Sequence, residues 1–265
     1  MMIPSYECVR VRVDGPTGTL QLNRPSVLNA CNEQLMNDVI AAAAWFNRQE
    51  QVKVVVVSGV GAAFCAGFDL RAFQNNPAER VRSAVDLGLR MVEAVSSMNA
   101  VTIAAIHGHC IGGGVVLACA CDFRYAAAGT QFHLPETELG VPLAWGGMPW
   151  LVREVGPAMA MEFALLCRKV GAERMKDSGF LNGVVEGGEL DSHVSAMAAE
   201  LGKRSSLVLR ITKKQVIAAK NQLATTSYAF LDAHVFFSAL SDEESVASRE
   251  AYISAKLPAG ARAGG

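Results

Sequence analysis

Val101-Thr102-Ile103-Ala104-Ala105-Ile106, the loop Gly108-His109-Cys110-Ile111-Gly112-Gly113-Gly114, the apolar run Val115 to Cys121 and then Phe123-Arg124-Tyr125-Ala126 come in quick succession. The first segment, apolar throughout except for one threonine and bounded by a glycine loop, reads as a buried strand. Glycines ahead of the apolar run read as a helix start. They let the backbone approach a ligand closely, and the unpaired amides and helix dipole favour negative charge or a developing oxyanion. Taken alone, the same glycines also suit close helix packing. Residues 123–126 read as a strand again, and strands alternating with helices predict an α/β core.

On the N-terminal side, Val9, Val11 and Val13 alternate with Arg10 and Arg12, and Asp14-Gly15-Pro16 turns the chain toward Thr19-Leu20-Gln21-Leu22. This pattern predicts a hairpin with one buried face. Leu35, Val39, Ala43 and Phe46 share one face of a helix over Asn32 to Gln49. Val52 to Ser58 reads as a buried strand and Leu87 to Val95 as a helix. Beyond Gly156-Pro157, where proline suits a first helical turn, the chain reads as mostly helical. The predicted helices are Ala158 to Arg168, Ser192 to Arg204, Leu207 to Lys220, Tyr228 to Leu240 and a last one ending before Pro258. Ser241-Asp242-Glu243-Glu244 has capping-box spacing, with Ser241 as the cap. A boundary near 195 separates a mixed core, 1–195, from a helical part, 196–265.

The chain of 265 residues is 51% hydrophobic and 18% charged, which excludes a disordered chain and allows a substantial core. A net charge of −1 leaves no basic field, so neither nucleic acid nor a membrane is an expected partner. No apolar run reaches the roughly 20 residues of a membrane helix, and Met1 to Arg10 lacks the character of a signal peptide. Seven dispersed cysteines without a Cys-x-x-Cys pair suit a reducing, cytoplasmic compartment.

Gly59-Val60-Gly61-Ala62-Ala63-Phe64 begins like a dinucleotide loop, but its third glycine is Phe64. There is no Gly-x-Ser-x-Gly elbow and no phosphate-loop lysine. Lys213-Lys214 and Lys220 make a weak footprint for RNA. His107 and His109 have no third metal ligand at suitable spacing, so they are expected to be packed and hydrogen-bonded, and no metal is expected.

Several segments together resemble the crotonase family, the enoyl-CoA hydratase/isomerases. They are Leu22-Asn23-Arg24-Pro25 with Leu28-Asn29-Ala30, then Phe64-Cys65-Ala66-Gly67-Phe68-Asp69-Leu70, then Gly108 to Gly114, then Cys121-Asp122 and Phe132-His133-Leu134-Pro135-Glu136. The order and spacing extend over nearly the whole chain. The resemblance implies a crotonase-like spiral of strand-strand-helix (β-β-α) turns with a C-terminal helical trimerisation region, forming a homotrimer or a dimer of trimers. It implies a coenzyme A thioester as substrate, no further cofactor, and a role in fatty acid metabolism. It also implies that the amides of Ala66 and Gly113 form an oxyanion hole for the thioester carbonyl, each donor worth about 2.7 to 4 kcal/mol. Arg24, Leu28, Ala30, Ala62, Phe64, Phe68, Asp69 and Leu70 would border the adenine and pantetheine, Gly112, Pro135, Ala144 and Trp145 would also bind the substrate, and Lys256 would reach a phosphate, with one on a neighbouring subunit as an alternative.

The family's hydratases flank the reacting carbons with two glutamates. Here the second is Glu136, whereas the first position is Val116. A valine cannot activate water, and losing a general acid or base costs about 10²- to 10⁴-fold. One carboxylate still suffices to move a proton between C2 and C4 of an enoyl thioester, so the expected reaction is double-bond isomerisation with Glu136 as acid and base. Hydration of 2-enoyl-CoA and non-catalytic binding of a coenzyme A thioester are the alternatives. The aspartate used by dienoyl-CoA isomerases would fall at Ala144. Trp145 narrows the acyl pocket or is an ordinary packed aromatic. Asp69 reads as a cap, Glu138 as solvent-facing, and His133 as a candidate substrate contact. Cys65 and Cys110 read as small wall residues, with nothing adjacent to stabilise a thiolate.

Overall fold

The computed structural model describes residues 2–73, 78–227 and 229–256. Strands β1 (Val9–Asp14) and β2 (Thr17–Leu22) form the expected hairpin, turning at Gly15 with φ +54° and pairing Val9 with Leu22 through Asp14 with Thr17. Helix α1 (Glu33–Asn47) follows, capped by the Asn32 side chain on the Leu35 amide, and then β3 (Val54–Gly59). Helix α2 (Ala78–Ser96) leads to β4 (Val101–Ile106), β5 (His109–Ile111) and α3 (Gly113–Cys119). Next come β6 (Phe123–Ala127), β7 (Gln131–His133), α4 (Gly147–Leu166), β8 (Val170–Gly171), α5 (Ala172–Asp177) and β9 (Gly183–Val185). Helices α6 (Leu190–Gly202), α7 (Ser206–Leu223), α8 (Asp232–Ser241) and α9 (Glu243–Lys256) complete the described chain.

The larger sheet has the order β1-β2-β3-β4-β6-β9, parallel beyond the hairpin, and the smaller has β5-β7-β8. The chain steps from β4 to β5 and then into α3, and from β6 to β7 and then into α4. Each step is a strand-strand-helix turn. An earlier turn runs from β3 through isolated bridges at Cys65 and Phe68 toward α2. Both faces of the larger sheet are covered, which explains the unbroken apolar runs of β3 and β4. Val55, Val57, Ala104 and Ile106 enter the main core, while Val54, Ile103 and Ala105 meet Leu190, Val194 and Ala198 of α6. The boundary at 195 therefore lies inside a helix that packs on the sheet.

Two local readings are corrected. The last helix is capped by Asp242, whose carboxylate accepts from the Ser245 amide at 2.9 Å; Ser241 ends α8 and donates back to Ser238. Helix α2 starts well before Leu87, at Ala78; its early turns carry charged residues outside, but Val81, Ala84 and Val85 recur at helical spacing and are buried in the core. Gly156, at φ 74° and ψ 165°, breaks α4, and Pro157 opens its second half as expected.

Helix α7 is tied down by charge. Lys213 Nζ lies 2.8 Å from Asp122 Oδ2, and Glu154 pairs with both Lys220 and Arg124. Two lysines of the sequence cluster are thus committed inside the fold. Helix α8 packs on α2 and α9 on α8. Both are fastened to the segment after β7. Gly146 donates to Asp232 Oδ2 at 2.7 Å, and a Cβ at Gly140 would lie 2.3 Å from Ser245 O.

Candidate active site

The glycine loop leaves β5 with Gly112 at φ 53° and ψ −122°, a backbone region open to glycine. Its amide donates to His133 O at 2.8 Å, joining the loop to β7. The next amide, Gly113 N–H, opens α3 and donates to no protein group among the described residues. The loop at Gly67 closes on it. A Cβ at Gly67 would lie 3.0 Å from Gly113 N and 2.6 Å from Ile111 O, while one at Gly112 would lie 2.5 Å from Glu136 Oε1. The absence of side chains at 67 and 112 therefore keeps an uncommitted amide and a carboxylate beside one another.

Glu136 leaves β7 through Leu134-Pro135 and is held by a turn in which Leu139 N donates to Pro135 O and Val141 N to Glu136 O, each at 3.0 Å. Its Oε2 is sealed from solvent and has no hydrogen-bond partner among the described residues. Burial pushes its carboxyl up to about 7, its own backbone amide opposing only in part. A carboxyl poised there can both take and return a proton near neutrality. Burial lowers the pKa of His133, although its Nε2 hydrogen bond to Cys167 O at 2.8 Å acts in the opposite sense. Burial also pushes Tyr252 up to about 12, with the charges of Glu138 and Glu136 adding to the effect.

A cavity of about 570 Å³ contains these groups. Among its walls are Leu28, Ala30, Ala66, Phe68, Asp69, Leu70, Gly112, Gly113, Pro135, Glu136, Ala144, Trp145 and Lys256, so most of the expected site comes together. Val116, three residues beyond Gly113, is 1% exposed and is not one of those walls. It packs behind them, where a Cβ at Gly147 would lie 2.7 Å from its Cγ2.

The sequence matches the enoyl-CoA hydratase/isomerase family model over residues 16–259. The chain belongs to the enoyl-CoA hydratase/isomerase family. It is 30% identical over 254 residues to a probable enoyl-CoA hydratase of Mycobacterium tuberculosis, covering 96% of this chain and 98% of that one. It is 31% identical over 236 residues to the peroxisomal Delta(3,5)-Delta(2,4)-dienoyl-CoA isomerase of Arabidopsis thaliana, covering 83% and 85%. Among solved structures, an enoyl-CoA hydratase/isomerase from Xanthobacter autotrophicus superposes with a TM-score of 0.82 at 27% identity, covering 96% and 100%. The crotonase-like fold is thereby shown.

Several site expectations for this enoyl-CoA hydratase/isomerase require correction. Ala66 lines the cavity, but its amide donates to Leu28 O at 2.9 Å and is spent within the fold. Phe68 is different: Cys31 N donates to Gly67 O and Asp69 N to Cys31 O, so the amide of Phe68 turns away from Cys31, as in a parallel bridge. Arg24, Ala62 and Phe64 are not cavity walls. Phe64 is fully buried in the core, Ala62 points to solvent, and Arg24 braces the loops by donating to Ala30 O and Asp69.

Asp69 caps the Arg71 amide as expected. Burial alone would raise its pKa, but hydrogen bonds from Arg71 and Arg24 hold the carboxyl below the usual carboxylate value. Cys65 and Cys110 lie wholly behind the wall. Contrary to the expectation of no adjacent group, Cys65 has Cys31 Sγ 3.6 Å away, and their hydrogen bond lowers Cys65 and raises Cys31. His107 is hydrogen-bonded to Gly61 O as expected, whereas His109 is exposed and borders the cavity.

The sequence reading missed Val85 of α2, Lys169, Phe236 of α8 and Tyr252 of α9, all cavity walls. Lys256 borders the cavity of its own chain. Among the described residues, no group of three His, Cys, Asp or Glu side chains is placed to hold a metal, and no helix is long and apolar enough to cross a membrane.

Proposed function

We propose that this chain isomerises enoyl-CoA thioesters, moving a double bond from the 3- to the 2-position with Glu136 as the single acid and base. The observation that carries the reading is the Glu136 carboxyl, its Oε2 buried and unpartnered among the described residues, beside the uncommitted Gly113 amide, with Val116 outside the cavity. The thioester oxygen accepts from Gly113 N–H, and Phe68 N–H serves as the second donor in place of Ala66. As the Glu136 carboxylate takes a proton from C2, charge moves onto that oxygen, where preorganised amides lower the barrier most. The same carboxyl returns the proton at C4. No water takes part.

Conversion of 3-enoyl-CoA to 2-enoyl-CoA, followed chromatographically, tests the reading. Glu136→Gln is expected to abolish turnover, and turnover at the wild-type rate in that variant would refute it. The hydratases among the relatives make hydration of 2-enoyl-CoA the second reading. Formation of 3-hydroxyacyl-CoA in the same assay would favour it. Binding of both thioesters without turnover would instead identify a non-catalytic binder.

A homotrimer belongs to the same reading. Leu207, Val208, Ile211, Val216 and Leu223 of α7 are exposed and supply an apolar face for subunit contacts. A monomeric mass in solution would refute that part.

A further inference from the structure

We infer that Trp145 is the stop that limits how long an acyl chain this site accepts. The inference rests on the proposal that an acyl-CoA occupies the cavity. In the same cavity as Glu136 and Gly113, the walls contributed by Val85, Leu139, Val141, Leu143 and Phe236 carry no hydrogen-bonding side-chain atom. A hydrocarbon chain suits them. Trp145 is another of these walls and is only 3% exposed.

The fold is built around its indole from several sides. A Cβ at Gly113 of α3 would lie 2.1 Å from Trp145 Cζ3, and a Cβ at Gly88 of α2 would lie 2.0 Å from Nε1. Neither helix could carry a side chain at that point without displacing the ring. Phe68 meets it edge-on, with centroids 6.3 Å apart and planes at 69°. The backbone of Trp145 is left-handed, with φ 63°, an uncommon state for a bulky residue. The following amide, Gly146 N–H, is fixed by Asp232 Oδ2 at 2.7 Å from α8. An indole gripped between two helices, with its backbone tied to a third, cannot swing aside as a flexible side chain would. The ring consequently fixes the depth of the apolar space.

The test is calorimetric binding of saturated acyl-CoAs of increasing chain length to the wild type, Trp145→Phe and Trp145→Ala, alongside the 3-enoyl-CoA turnover assay. Saturated thioesters cannot react, so binding reports on the wall independently of the chemistry. Wild-type affinity is expected to stop rising at a defined length. In Trp145→Ala that limit should move out by about two carbons or more, with roughly a tenfold gain for the first chain the wild type rejects. Trp145→Phe, which keeps an aromatic wall, should lie between them and stands in if the alanine variant fails to fold. Identical length profiles in wild type and a folded variant would overturn the inference, even if isomerisation is observed. A shifted profile without turnover would uphold it while sinking the isomerase proposal, and failure of every acyl-CoA to bind the wild type would overturn both.

Discussion

Replacing Glu136 by Gln keeps the shape of the side chain but removes the proton it holds. In the wild type, burial raises the carboxyl from the ordinary 4.5 to about 7. The native state therefore binds that proton more tightly than the unfolded chain does. This contribution is fully present below pH about 4.5 and is lost as pH rises through about 7. At 1.36 kcal/mol per pH unit, the interval corresponds to about 3 kcal/mol. The amide of Glu136→Gln stays neutral throughout, so the variant avoids the loss. Urea unfolding of both proteins across about pH 4.5 to 8 should show the variant gaining about 3 kcal/mol on the wild type toward the alkaline end, the other titrating groups cancelling in the difference. Parallel stability curves, or a difference growing toward acid, would refute the assignment of Glu136 as a desolvated carboxyl. Wild-type kcat/KM for 3-enoyl-CoA should rise through the same range, because the reaction begins with the carboxylate.

Val116→Glu alone is expected to gain no hydration of 2-enoyl-CoA and to lose several kcal/mol of stability, since it buries a carboxylate behind the cavity wall. Product analysis and a denaturant titration check both halves. Gly140→Ala strains a residue at φ 64° and drives a Cβ into Ser245 O, so α9 should loosen, raising KM through Tyr252 and Lys256 more than it lowers kcat. Steady-state kinetics separate the two effects. Glu154→Gln leaves buried Arg124 without its carboxylate partner and should cost about 3 to 5 kcal/mol in an unfolding titration, with little change in ligand affinity.

The inner turns of the spiral were legible because their signals are local. A run such as Val101 to Ile106 carries its burial in its composition, and Gly112 to Gly114 mark a helix entry whatever lies around them. Residues whose role depends on a distant neighbour were harder to read. Phe64 and Phe68 share one loop and one aromatic character, yet Phe64 turns into the core and Phe68 borders the cavity; the bridge between Cys31 and Phe68 fixes that difference. The resemblance assigns Ala66 a free amide, but Leu28 O accepts from it, and no pattern within the 62–70 loop reveals that partner. Phe236 and Tyr252 reach the cavity because α8 and α9 fold back on the segment after β7. Asp232 and the bare Cα of Gly140 make those attachments, and neither residue stands out in a single sequence.

The grip of Gly88 and Gly113 on one indole also dictates an order in which this lineage can change. Position 145 can shrink at any time, because a smaller side chain merely vacates space. Position 88 or 113 can acquire a side chain only afterwards, since a Cβ at either would lie about 2 Å from ring atoms. Once either has done so, tryptophan cannot return without clashing. Substitutions at these positions are therefore strongly non-additive, and the order of change is constrained in both directions: a chain with alanine at 88 regains a tryptophan at 145 only after glycine has returned at 88.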